Sequence, residues 1–138
     1  MSTDDHKAIV RSLYAHENVR RGIATIDAVT SPALVAHGLM PGAPPGIAGV
    51  RAGFVMLLEA FPDARFTVEH CIAEGDLVAA RVRLRATHKG ALMGMPPTGN
   101  AIDLVEHIYF RFEADKIVES WGVRDDLGMM RQLGQVPA

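Results

Sequence analysis

The run Arg65-Phe66-Thr67-Val68-Glu69-His70-Cys71-Ile72-Ala73-Glu74-Gly75-Asp76-Leu77-Val78-Ala79-Ala80-Arg81-Val82-Arg83-Leu84-Arg85-Ala86 decides the architecture. Phe66, Val68, His70 and Ile72 alternate with Arg65, Thr67, Glu69 and Cys71, the period of two that a strand with one buried face requires. Glu74-Gly75 predicts a turn. Beyond it, Val78, Ala80, Val82, Leu84 and Ala86 share one face, and Arg81, Arg83 and Arg85 take the other. The pair is a half-buried hairpin whose arginine side meets water or a partner.

Upstream the period changes. Ile47, Val50, Phe54, Leu57, Leu58 and Phe61 recur every 3.6 residues, and Pro62 ends the helix they predict. The Pro- and Gly-rich stretch 40–46 before it is a loop by composition. Leu34 to His37 predicts a short strand. A first helix should begin at Ser2 or Thr3, whose side chains accept from free amides of an opening turn, with Asp4 and Asp5 at its positive end. Ile9, Val10, Leu13 and Tyr14 form its core stripe. Glu17 is placed to pair with Arg20 or Arg21, Gly22 to stop this helix, and residues 23–29 to form a second.

Downstream of the first hairpin, 89–99 is a loop. A second hairpin runs from Ile102 to Phe112 and from Ile117 to Asp125, turning near Ala114-Asp115. A last short helix carries Leu127, Met130 and Leu133. Helices first, strands next and a helix to close predict one α+β domain over residues 1–138, a curved antiparallel sheet packed against N-terminal helices around one pocket.

Composition narrows the function. At 138 residues, 49% hydrophobic and 22% charged, the chain can bury a core. A net charge of −2 with few aromatics gives no basic field for nucleic acid or an anionic membrane. The acidic start lacks a signal peptide's basic region, and no stretch approaches the ~18 apolar residues of a membrane span. These features predict a cytoplasmic protein. Cys71 is the only cysteine, so internal disulfides and cysteine-based zinc sites are excluded. The six histidines show no metal-ligand spacing, and no phosphate loop, nucleophile elbow or dinucleotide fingerprint occurs.

Phe61-Pro62-Asp63, Glu74-Gly75-Asp76, Thr87-His88-Lys89-Gly90 and Pro96-Pro97-Thr98-Gly99 occur in order, then Lys116-Ile117-Val118-Glu119, Trp121, Asp125 and Gln132-Leu133-Gly134. Together they resemble the SnoaL-like polyketide cyclases, or ester cyclases, of the nuclear-transport-factor-2-like superfamily. The match covers roughly the last two-thirds of the chain. The resemblance implies a cone-shaped fold, commonly dimeric, in which an aspartate and a histidine close a ring by intramolecular aldol addition without metal or cofactor. The aspartate of the Trp-x-x-x-Asp pattern falls on Asp125, and His107 is the nearest histidine. Two positions depart from the pattern: Ser120 stands where many relatives have histidine, and Ala114-Asp115-Lys116 replaces Asp-Gly-Lys.

Residue by residue, alternatives stay open. Asp125 in an apolar hollow would be a general acid/base; Asp125 or Asp126 could equally cap the last helix. A tight turn through Ala114-Asp115 puts Glu106 on the face of Trp121 and Asp125, whereas a bulge shifts the pairing by one and puts His107 there. His70 reads as a core histidine or a polar pocket group, His88 as a group at the pocket mouth, and Trp121 as a pocket wall or core packing. Two functions fit. One is a cofactor-free acid/base enzyme acting on a mostly apolar carbonyl compound, cyclase-like or a related isomerase, dehydratase or hydrolase. The other is a binding module for a small lipophile, which an Asp125 turned onto the last helix would favour.

Overall fold

The computed structural model describes residues 1–14 and 19–136. Glu17 and its expected pairing lie outside the described residues. The chain begins with α1 (Thr3–Leu13), which Ser2 caps: its Oγ accepts from the Asp5 amide at 3.1 Å while Asp5 accepts from the Ser2 amide at 2.9 Å. α2 (Val19–Val29) runs through Gly22 rather than starting after it. A Cβ at Gly22 would lie 2.3 Å from the Leu13 carbonyl oxygen, so this glycine permits a close approach to the end of α1 instead of stopping a helix.

β1 (Thr30–His37) leads through the predicted loop to α3 (Ile47–Ala60), the helix that the period announced. β2 (Arg65–Glu74) and β3 (Leu77–Thr87) form the first hairpin, and β4 (Ala101–Glu113) and β5 (Lys116–Arg124) the second. α4 (Asp126–Gln132) closes the chain. The sheet order is β1-β5-β4-β3-β2. It is mixed rather than wholly antiparallel, because β1 runs parallel to β5. A strand that far from its partner in sequence is not bound by the hairpin rule that fixes the others.

α1 and α3 cover one face, and between them and the sheet lies a core of Val10, Leu13, Ile26, Phe61, Phe66 and Phe112 with neighbours. The opposite face carries Arg81, Arg83 and Arg85 as predicted, in a ladder with Glu69 and Asp103.

Two irregularities redirect side chains. In β2 the register shifts between Val68 and His70. The inserted residue inverts the remainder of the strand, so Cys71 and Ala73 turn to the core while His70 and Ile72 are exposed, Ile72 at 68%. His70 is therefore neither a core nor a pocket residue. In β5 the turn is tight, with Glu113 opposite Lys116 and Phe112 opposite Ile117, yet a bulge comes at once and sets Tyr109 opposite Trp121.

β4 outruns β5, whose last pair is Glu106 with Arg124. Beyond that point the Gln132 side chain stands in for a strand. Its Oε1 accepts from the Asp103 amide at 2.7 Å and its Nε2 donates to the Asp103 carbonyl at 3.1 Å. Among the described residues no helix is long and apolar enough to cross a membrane.

Candidate active site

Between α3, the covered face of the sheet and α4 lies a cavity of about 210 Å³. Its walls are apolar: Phe54 and Leu57 from α3, Phe66 and Leu84 from the sheet, and Met40, Met56 and Met129, whose unbranched chains adapt to varied ligand shapes. Polar groups gather at one end, where Glu106, Arg124, Asp125 and Asp126 meet, with Tyr14 reaching in from the end of α1.

Glu106 is on the inner face because its strand neighbours Ile108, Phe110 and Phe112 are core residues and the alternation carries through. Burial raises its carboxyl to a pKa of about 7; the charge of Arg124 lowers it and that of Asp126 raises it again. Near neutrality this group gains and loses a proton with almost equal ease. Tyr14 packs edge-on against Phe66 at 5.1 Å between ring centroids. Burial, and then the charge of Glu106, push its phenol well above the usual range, so it stays protonated and can only donate to an anion.

Of the other expected residues, Asp125 touches the cavity and the rest lie outside its lining. Asp125 borders the cavity but is exposed and caps α4, accepting from the Gly128 amide at 2.8 Å. A Cβ on residue 128 would lie 2.2 Å from its Oδ2, so the glycine makes room for the cap. The more buried carboxyl is Glu106. His107 is exposed on the outer face, where Arg81 Nη1 lies 3.1 Å from its Nε2. It borders a second, more open hollow with Asp103 and Val123, which shares Leu104, Val105, Arg124 and Asp125 with the cavity.

Trp121 shares that outer face and stacks on His37 at 5.4 Å; it is not a wall of the cavity. The β5 bulge explains both, since it pairs Trp121 with Tyr109 and leaves Glu106 facing inward opposite Arg124. His88 is fully buried and holds the 89–99 loop rather than a pocket mouth: its Nδ1 accepts from the Thr98 amide at 3.1 Å.

Sequence reasoning misses Tyr14 and Arg124. Tyr14 is hidden in a core stripe, although a buried tyrosine hydroxyl needs a polar outlet and so carries a signal. Arg124 stands beside the recognised aspartate with no spacing of its own to mark it.

The sequence profile of the SnoaL-like polyketide cyclases matches residues 8–133. The chain belongs to the SnoaL-like polyketide cyclase family. Among solved structures it is similar to AclR from Streptomyces galilaeus, described as "a putative hydroxylase". The two are 29% identical over 99% of this chain and 89% of that one, with a TM-score of 0.85. It is also similar to IdmH from Streptomyces antibioticus, described as "a putative polyketide cyclase". Here identity is 31% over 92% of this chain and 96% of that one, with a TM-score of 0.77. TsrD from Streptomyces laurentii is 23% identical over 99% of both chains with a TM-score of 0.86, a likeness of fold. No curated protein matches the chain significantly. The α+β cone expected from the sequence is thus the fold of this family.

Proposed function

We propose that this SnoaL-like protein is a cytoplasmic acid/base enzyme that moves a proton at carbon in a mostly apolar, carbonyl-bearing small molecule, with polyketide-type ring closure as its leading reaction. The observation that carries this reading is Glu106: a largely buried carboxyl, raised by that burial toward neutral pH, at the polar end of a mostly apolar cavity. Its carboxylate takes a proton from the carbon next to a carbonyl, and the Tyr14 hydroxyl donates to the oxygen on which charge develops. The resulting enolate carbon attacks a second carbonyl of the same molecule. The alkoxide so formed recovers a proton from the Glu106 carboxylic acid, and the enzyme returns to its starting state. No cofactor enters the scheme. Glu106 takes the part that the family pattern gave Asp125, and neither His107 nor Trp121 is needed.

The test is Glu106→Gln, which keeps shape and removes the titratable carboxyl. Incorporation of solvent deuterium beside the carbonyl, monitored over a panel of aromatic polyketone compounds, should fall by about 10²–10⁴-fold with the fold unchanged. Undiminished exchange in the variant would remove Glu106 from the chemistry.

The capping role of Asp125 supports a second reading, a lipophile-binding module without turnover. Ligand binding with no exchange on any compound in wild type would favour it. Either way we propose a homodimer through the outer sheet face, which exposes Val35, Ile72, Tyr109 and Val123 beside charges of both signs.

A further inference from the structure

Arg124 is the cross-strand partner of Glu106 and shares its cavity. The two side chains share this partly buried end of the cavity, yet they form no ion pair. The guanidinium is engaged elsewhere: Nη1 donates to the Gly38 carbonyl at 2.6 Å, and Nε donates to Asp126 Oδ1 at 3.3 Å. Among the described residues its one ion pair is with Asp126. The Gly38 end of this tether is fixed by the backbone. Gly38 has φ +81°, and a Cβ there would lie 2.2 Å from the Gly122 carbonyl oxygen, so the end of β1 is held close against β5.

We propose that Arg124 is a positioning residue for Glu106, diverted by the Gly38 carbonyl and Asp126 so that its charge acts on the carboxyl without locking it as an ion. The inference rests on reading Glu106 as the proton-transfer group. A direct Arg–carboxylate contact lowers a carboxyl by about one to three units, which would make Glu106 a weaker base for the proton it has to take. Removing the cation altogether would leave burial unopposed and hold the proton on. The diverted geometry lies between these limits.

Among the described residues lining the cavity, the other ionisable groups come from the start of α4 and the end of α1. Asp125 and Asp126 face the group from the start of α4 and Tyr14 from α1. α3, β2 and β3 present Phe54, Met56, Leu57, Phe66, Val82 and Leu84, none of them ionisable in this range. The direction of each influence agrees, because Arg124 lowers the Glu106 carboxyl and Asp126 raises it.

The test is a carboxyl carbon NMR titration of the full chain labelled at glutamate, with the Glu106 signal assigned by its loss in Glu106→Gln. Arg124→Met should move the midpoint up by about one unit or more. Asp126→Asn, at an exposed site, should move it down, since it removes a negative charge and frees the guanidinium to approach Glu106. If Arg124→Met fails to fold, the downward shift in Asp126→Asn carries the test. A wild-type midpoint near 7 that stays put or rises in Asp126→Asn overturns the role of Arg124 and leaves the acid/base reading intact. A wild-type midpoint in the ordinary glutamate range overturns that reading itself, and this inference with it.

Discussion

The carboxyl of Glu106 and the phenol of Tyr14 share one end of an apolar cavity, and the charge of the first makes ionisation of the second harder. A pair that resists carrying two negative charges is suited to a reaction in which one of them arises on the substrate. While Tyr14 keeps its proton, it offers a donor where an enolate oxygen would form.

Tyr14→Phe is expected to lower kcat for deuterium exchange by about 10²-fold with little change in KM, the loss of one donor that acts mainly in the transition state. The ring would still pack against Phe54, Phe66 and Phe110, so stability should hold. An unchanged kcat would remove the hydroxyl from the mechanism.

Glu106 should also write its titration into stability. Its folded-state pKa of about 7 stands above the ordinary glutamate value of 4.5, so the folded state holds this proton more tightly than the unfolded one. The associated stability is fully present below pH 4.5 and is lost as the pH rises through about 7. Glu106→Gln should therefore match wild type in acid and exceed it above neutrality, by up to about 3 kcal/mol. Urea melts at about pH 4 and pH 8.5, on either side of that window, check this. A variant less stable at the higher pH contradicts it.

His88 holds a loop rather than a ligand. Its main chain pairs with Asn100 and Gly99, and its ring accepts from the Thr98 amide at 3.1 Å. His88→Leu strands that amide and should cost about 1–3 kcal/mol, with faster amide exchange confined mainly to 89–99. Unaltered protection there would show that the ring adds nothing.

The outer sheet face predicts the mass in solution. Light scattering should return a dimer, and Val123→Asp, placing a charge at a site 71% exposed, should shift it toward monomer without altering the circular dichroism. A monomer in wild type counts against the interface.

Long elements with strong periods are legible in the sequence. Ile47 to Phe61 declare a helix, and Val78 to Ala86 declare a strand with its arginines outward. Two single-residue insertions are not legible. The alternation through Phe66, Val68, His70 and Ile72 is unbroken in sequence, but the chain inserts a bulge that exposes the last two. A tight turn and a bulge are rival readings of the second hairpin, and the chain uses both. That combination sends Trp121 and His107 outward together and keeps Glu106 within. A bulge costs little locally and is set by packing across the sheet, which a linear pattern does not contain.

The family motifs lead to Asp125, and several of them are structural ties. Asp63 accepts from the Thr87 amide at 2.7 Å and hydroxyl at 2.8 Å, His88 meets Thr98, and Gly90 fits beneath the Glu59 carbonyl, where a Cβ would stand 1.9 Å away. Motif strength marks the scaffold faithfully and the chemistry only by neighbourhood: Arg124 and Asp125 flank the cavity that Glu106 serves.

The amide of Gln132, laid along Asp103, has an effect beyond its two bonds. The first residues of β4 would otherwise present bare main-chain groups toward solvent, an invitation for a stray strand from another molecule to zip on. The Gln132 side chain satisfies those of Asp103 and offers no further rung there. A side chain outside the cavity lining thus fills the rung that a foreign strand would need at Asp103.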